Sequence, residues 1–572
     1  MSTPTTQTTD GAAEAELAGA PMDLLLTDAA RGNWRRLLPG TNGAVALVRG
    51  LANRPAKVAG RARGLAGELG RIALGRSRVG PEPKDRRFTD PAWADNPLLR
   101  RALQTYLTTT RTAEALISDA RLGEQDRLRV QTAVSNVADA LAPSNNPLLN
   151  PKALKAVVDT GGANFVRGAR RLARDLSEPP RVPTMVEPDA FTVGETIAAT
   201  PGTVVARTEQ FELIQYTPST DQVREVPLLI VPPTINKFYV VDIAPGRSLV
   251  EYLLGEGHQV YTVSWRNPDV RHARWGFDTY GGAIVSAVDT VREVADVPGV
   301  ALLSLCAGGV LSSMVLGHLA AVGESEKVVA AAFSVSVLDQ RKAGVTGALL
   351  TPAAADAAVR ASAARGFLDG RALAEVFAWL RPNDLVWNYW VQSCLLGQAP
   401  KPFDVLYWNA DSTRLAARLH RDFVHLAQRN GLTEPDGVVM LGSTVNLSQV
   451  TADTYVTAGI SDHLCPWQNC YASTQLFGGT SRFVLSTSGH IASIVNPVNP
   501  GNKKAHFRTS EHTPPDPADW LAGARTVEGS WWPDFSGWLH ARTGDLLAAP
   551  KTPGSDDHPP IEAAPGSYVF VR

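Results

Sequence analysis

From Phe88 to about residue 176 apolar side chains recur every three to four positions, as in FTDPAWADNPLLRRALQTYL (88–107). That spacing lays one apolar stripe along a helix and predicts a helical N-terminal region. The period changes at TVVARTEQFELIQYTP (203–218), where β-branched and apolar residues alternate in two short runs about a polar pair, predicting two strands. Downstream, apolar runs and helix-length segments take turns. VPLLIV (226–231), QVYTVSW (259–265), VALLSL (300–305) and VVAAAFSVSV (328–337) read as buried strands. Helices fall between them at SLVEYLLGEG (248–257), near 279–295 and at 309–321. Strands this apolar, separated by helices, predict an α/β fold with a mostly parallel sheet covered on both faces. Residues 340–450 break the rhythm with helical, Trp-rich stretches before TYVTAG (454–459) and RFVLST (482–487) resume it, so they read as a lid inserted above the strand ends. GSWWPDFSGWLHARTG (529–544) predicts a closing helix before a Pro-rich tail. The expected organisation is a segment 1–87, a helical region 88–200, and a catalytic domain 201–572 with its insertion at about 340–450.

Charge alters this picture only at the start of the chain. Residues 31–80 hold eleven Lys or Arg and one acid, Glu68, with apolar residues between them. A basic amphipathic segment can lie on an anionic or lipid-coated surface, with Trp34, Leu37, Leu38, Val45 and Leu47 as its contacts. The competing reading is a solvated, loosely helical tail. Residues 1–21, rich in Thr, Ala and Gly, read as disordered. Elsewhere the 572 residues are 44% hydrophobic and 19% charged with net charge −1, so a soluble globular protein is expected and nucleic acid is not. No signal peptide and no apolar run long enough for a spanning helix is expected. Four cysteines, Cys306, Cys394, Cys465 and Cys470, show neither disulfide-framework nor zinc spacing and suit a reducing cytosol. Cys465 has His463 beside it but no second ligand pair nearby, so no metal is expected. No P-loop or dinucleotide-binding glycine pattern is present, and no cofactor is expected.

Candidate chemistry centres on LLSLCAGGVLSS (302–313), where Cys306 falls between a buried strand and a helix. A strand-to-helix nucleophile elbow needs small neighbours because the turn is sharp, and Ala307, Gly308 and Gly309 supply them; Ser304 replaces the first Gly of the G-x-S-x-G pattern. A thiolate there also gains from the positive end of the helix dipole. A buried structural thiol is the competing reading. An acid and a base should follow in that order on later strand ends, and Asp462 and His490 do. His490 would deprotonate Cys306 and shuttle the proton, while Asp462 would orient the imidazole or act on a substrate hydroxyl. Asp339, after the strand 328–337, is the competing acid. His463 reads as structural or auxiliary. For an oxyanion hole, Ala307 offers one N–H; Pro232 and Pro233 have none, leaving Thr234, Ile235 and Asn236 for the second.

VPPTINKFYVVDIAPGRSLVEYLLGEGHQVYTVSWRNPD (231–269), CAGG (306–309), RPNDLVWNYW (381–390), LYWNADSTRL (406–415), AGISDHLCPW (458–467) and SGHIASIVNP (488–497) resemble, in this order, the polyhydroxyalkanoate synthases. The likeness runs from about Phe88 to the C-terminus, and CAGG, RHARWG and EAAPGSYV resemble the single-subunit, medium-chain type. Ser304 and, in NPVNPGNKK (496–504), Val498 depart from the family pattern. The resemblance implies an α/β-hydrolase fold and polymerisation of (R)-3-hydroxyacyl-CoA into polyester with release of CoA. By the same resemblance Cys306 carries the chain, His490 is the general base and Asp462 helps activate the hydroxyl. CoA is part of the substrate rather than a cofactor. Water must be excluded, and the 340–450 insertion with Trp387, Trp390 and Trp408 is the expected lid, though each Trp alone also reads as core packing. A homodimer working in the cytoplasm at the surface of polyester granules, beside granule-coating proteins, is likewise implied. Two alternatives remain at this level. One is a thioesterase or depolymerase using the same Cys-His-Asp triad with water as acceptor; the other is a silent granule-coating protein, which should have lost Cys306 or His490.

Overall fold

The computed structural model describes residues 40–83, 85–340, 352–380, 382–462, 464–499 and 501–572. Contacts divide the chain into two compact units. One comprises the described residues of Gly32–Glu187 together with Ala372–Pro402; the other comprises those of Pro188–Arg371 and Phe403–Arg572. The 340–450 stretch is thus shared between them.

The helical unit is punctuated by Asn-Pro pairs. Asn96 accepts from the N–H groups of Leu98 and Leu99 and opens helix Pro97–Asp119; Asn150 accepts from Lys152 and Ala153 and opens Pro151–Thr160. Asparagine caps the bare N–H groups, and proline tolerates the first helical turn because its missing N–H would have no partner there. Phe88, Trp93, Leu99, Leu103 and Leu107 form one buried cluster, with the Phe88 and Trp93 rings edge to face at 5.3 Å. The basic segment contributes helices Gly40–Ala52 and Pro55–Ala73. Several of its cations have local partners: Arg54 donates to the Asp119 carbonyl, Arg61 Nε lies 2.7 Å from Asp119 Oδ2, and Arg71 Nε donates to Glu68 Oε2 at 2.7 Å. Val45 and Val48 are exposed, whereas Trp34, Leu37 and Leu38 lie outside the described residues. Trp379 and Trp387 pack with Val182, Ala378 and Val386, and Trp390 Nε1 donates to the Asn145 carbonyl at 3.0 Å. The tryptophans of RPNDLVWNYW therefore pack within the helical unit.

The other unit is built on an eleven-stranded sheet. In chain order its strands are β1 (Gly202–Arg207), β2 (Phe211–Tyr216), β3 (Leu228–Val231), β4 (Val260–Trp265), β5 (Val300–Leu305), β6 (Val328–Ser334), β7 (Asp453–Gly459), β8 (Ser481–Ser486), β9 (His506–Thr509), β10 (Arg525–Glu528) and β11 (Glu562–Ala563). Across the sheet they run β10-β9-β8-β7-β6-β5-β3-β4-β2-β1-β11. The six strands from β8 to β4 are parallel, and antiparallel strands extend both edges. All residues of β3, β4 and β5 are buried, as an apolar run covered on both faces requires. Helices Leu249–Gly255, Phe277–Ala295 and Ala307–Val322 follow β3, β4 and β5 where the apolar spacing predicts them. The marginal antiparallel strands β9 to β11 carry no sequence signal, because HFRT, RTVE and EA are partly exposed and have no apolar run. Among the described residues no helix is long and apolar enough to cross a membrane.

Candidate active site

Strand β5 ends at Leu305 and helix Ala307–Val322 begins two residues on, so Cys306 alone makes the turn. It does so at φ 49 and ψ −118. A side chain rarely tolerates that backbone, which costs on the order of 1–3 kcal/mol and persists only where surrounding structure imposes it. Here Cys306 N donates to Ser334 O at 2.9 Å, while Cys306 O accepts from Gly309 N at 3.0 Å and Ser336 Oγ at 3.2 Å. The glycines are steric necessities. A Cβ on Gly308 would lie 2.5 Å from Pro232 O, and one on Gly309 would lie 2.1 Å from Ser336 Oγ. Ser304, the departure from the usual glycine, is fully buried and donates to Ser312 Oγ at 2.8 Å, so the elbow accommodates its hydroxyl.

Asp462 stands on the loop after β7, and His490 opens the short helix His490–Ile494 after β8. The imidazole Nδ1 donates to Asp462 Oδ2 at 2.7 Å. The other carboxylate oxygen accepts the N–H groups of Leu464 and Cys465 at 2.8 and 2.9 Å, which fixes the acid. Asp339, the competing acid, is placed differently: its Oδ1 accepts from Asn430 Nδ2 at 2.9 Å. His463 lies outside the described residues.

The Cys306, Cys465 and His490 ligand atoms all lie within 4.8 Å of one another. A hydrogen bond from Cys465 holds the Cys306 thiol far below its ordinary value; burial opposes this, and His490 adds to it. The same contact and burial push the Cys465 thiol up. Burial works against a charged His490, but Asp462 and then the Cys306 sulfur outweigh it and raise the imidazole to about 10. Each of these shifts is in the direction of a thiolate–imidazolium pair with a neutral thiol beside it. Two sulfurs and an imidazole are also a soft-cation donor set, the one such grouping among the described residues. Sequence spacing could not bring Cys465 here, because only the parallel pairing β5–β6–β7 sets its loop beside the elbow.

Val231, the last residue of β3, pairs with Ser304 of β5, which carries the loop after β3 to the elbow. Ala307 N–H lies at the sulfur of Cys306, where it also favours the thiolate. Among the described residues neither the Thr234 nor the Ile235 N–H donates to a backbone carbonyl, and the buried Thr234 Oγ1 has no partner. The LYWNADSTRL motif clamps this loop: Trp408 Nε1 donates to Lys237 O at 2.7 Å, Thr413 N to Ile235 O at 3.1 Å and Thr413 Oγ1 to Thr234 O at 3.2 Å. Asn236 bridges to Ser412 in the same clamp. Trp408, expected in a lid, thus holds the loop from behind.

Comparison with known proteins agrees with this architecture. Residues 84–253 match the family model "Poly-beta-hydroxybutyrate polymerase (PhaC) N-terminus", and residues 227–497 match "alpha/beta hydrolase fold". The chain is 44% identical over 508 residues to "Poly(3-hydroxyalkanoate) polymerase 2" of Ectopseudomonas oleovorans, covering 89% of this chain and 90% of that one. It is 37% identical over 508 residues to "Poly(3-hydroxyalkanoate) polymerase subunit PhaC" of Cupriavidus necator, covering 88% and 85%. A cysteine elbow on an α/β-hydrolase sheet, within a likeness that spans nearly the whole of these polymerases, places the chain in the poly(3-hydroxyalkanoate) polymerase family, whose members are acyltransferases.

Proposed function

We propose that this enzyme polymerises (R)-3-hydroxyacyl groups from CoA thioesters, holding the growing polyester as a thioester on Cys306. The observation that carries this reading is the sulfur nucleophile itself, turned out of the sheet at a positive φ and paired with His490–Asp462. The Cys306 thiolate attacks the acyl-CoA carbonyl, and N–H groups at Ala307 and the Thr234–Ile235 loop receive the oxyanion. CoA leaves as its thiol, taking the proton of the His490 imidazolium. The neutral imidazole then accepts the proton of a 3-hydroxyl whose oxygen attacks the Cys306 thioester; an ester bond forms and the thiolate returns. Asp462 keeps Nδ1 protonated so that Nε2 faces the reacting atoms. Thiol-to-thioester exchange is nearly balanced in energy, so sulfur retains an activated chain where serine would form a less reactive ester. Medium-chain monomers, a homodimer and the granule surface belong to the proposal through the family resemblance.

The test compares wild type with Cys306→Ala on (R)-3-hydroxyoctanoyl-CoA and (R)-3-hydroxybutyryl-CoA, following CoA release and extractable polyester. Polymer from the wild type alone, faster with the octanoyl substrate, is expected. CoA release with free hydroxy acid as the only other product would overturn the proposal in favour of a thioesterase.

A further inference from the structure

Acyl transfer as proposed leaves one buried thiol at the site without a chemical task. Cys465 is 3% exposed, its N–H is held by Asp462 Oδ1 at 2.9 Å, and its sulfur is within 4.8 Å of the Cys306 sulfur and of a His490 nitrogen. None of the four cysteines is in a disulfide. A disulfide length of about 2.05 Å would require the two sulfurs to approach by less than about 3 Å. Cys470 is engaged elsewhere, its Sγ directed at the Cys465 carbonyl at 3.6 Å. A thiolate with a neutral thiol beside it is the arrangement by which hydroperoxides convert thiols to disulfides, the second thiol intercepting the first oxidation product.

We infer that Cys306 and Cys465 form a reversible disulfide under peroxide, which blocks polymerisation by tying up the nucleophile. The inference rests on Cys306 being the acyl-carrying thiolate. In the first step the Cys306 sulfur attacks one peroxide oxygen and the O–O bond breaks. The departing oxygen takes the His490 proton and leaves as water, giving a sulfenic acid. In the second, the Cys465 sulfur attacks the sulfenic sulfur, the S–O bond breaks, and the hydroxyl leaves with the Cys465 proton as a second water. Two electrons pass from the sulfur pair to one peroxide. Dithiothreitol returns them, and the active thiolate with them.

The experiment treats the purified enzyme with a slight excess of hydrogen peroxide, blocks remaining thiols with N-ethylmaleimide and digests without reduction. Expected are Cys306 and Cys465 peptides joined at about 2 Da below the sum of their thiol forms. Activity should fall at least about tenfold in step with the linked fraction, then return to within about twofold on reduction. In Cys465→Ala and Cys465→Ser, each read against its own untreated activity, oxidation should run on to a sulfinic acid about 32 Da heavier that dithiothreitol does not reverse. Cys470→Ala should link as the wild type does. A wild-type Cys306 peptide that is oxidised but never linked, or a link between Cys465 and Cys470, would overturn the inference. The wild-type peptide masses decide the matter even where a Cys465 variant does not fold. Failure of the untreated enzyme to make polymer would instead strike the proposed function, while the masses still read the sulfur pair.

Discussion

Cys306 combines a strained backbone, a thiolate-favouring neighbourhood and a proton partner on one residue, and each has a separate measurable consequence. Because Cys465 and His490 favour the charged sulfur, protonation requires a pH well below the ordinary thiol value of about 8.5. Alkylation of Cys306 by iodoacetamide should therefore be as fast at neutral pH as at pH 9; a rate that rises through the ordinary thiol range would contradict this. The raised imidazole acts in the opposite sense, staying protonated above its usual value and losing the charge as pH rises through about 10. Asp462→Asn removes the strongest of the contacts that keep the imidazole charged against burial, so kcat should fall on the order of 10²–10⁴-fold. The alkylation profile of this variant should also move to higher pH. The sequence shows Cys306, Asp462 and His490 because each follows a predicted strand, and strand ends are where an α/β sheet presents its chemistry. The sequence does not mark Cys465, because its sequence neighbours bear only on metal spacing while its partner comes from across three paired strands.

At the scale of elements, the elbow and the loop after β3 are positioned by what lies behind them. Gly308 lets the helix start against Pro232 O and Val231 O, so Gly308→Ala should cost about 1–3 kcal/mol, read as a lowered Tm, and reduce kcat by displacing the loop. Trp408→Phe keeps the buried ring but leaves Lys237 O without its indole donor. Leaving such a carbonyl unpaired costs about 1–3 kcal/mol, and kcat should fall more than KM rises if the loop serves the oxyanion. Equal losses in both would assign the indole to stability alone. The parallel centre of the sheet was legible from VPLLIV, QVYTVSW and VALLSL, since strands covered on both faces need unbroken apolar runs. HFRT and RTVE carry no such signal because antiparallel strands at the margin of a sheet, exposed on one face or both, are specified by their pairing partners. The clamp of Ser412 and Thr413 on the β3 loop was equally hidden, being made mainly through backbone groups that every residue possesses, with the Thr413 hydroxyl adding one bond to Thr234 O.

For the molecule as a whole, two compact units share one chain, and family likeness spans both. Cys306, Asp462 and His490 lie in the unit built on the sheet, while the helical unit includes the Trp-rich residues 372–402. A stretch read from sequence as one insertion is thus divided in space, because Trp379 and Trp387 pack on each other and on Val182, and Trp390 donates to the Asn145 carbonyl, within the helical unit. The central claim is that the polyester grows as a thioester on Cys306, and it is tested most directly by mass spectrometry of the Cys306 peptide from enzyme quenched in acid during turnover of (R)-3-hydroxyoctanoyl-CoA. A ladder of 3-hydroxyacyl units on that peptide, removed by neutral hydroxylamine and absent from Cys306→Ala, is the expected result. An unmodified Cys306 peptide while polymer accumulates would contradict it.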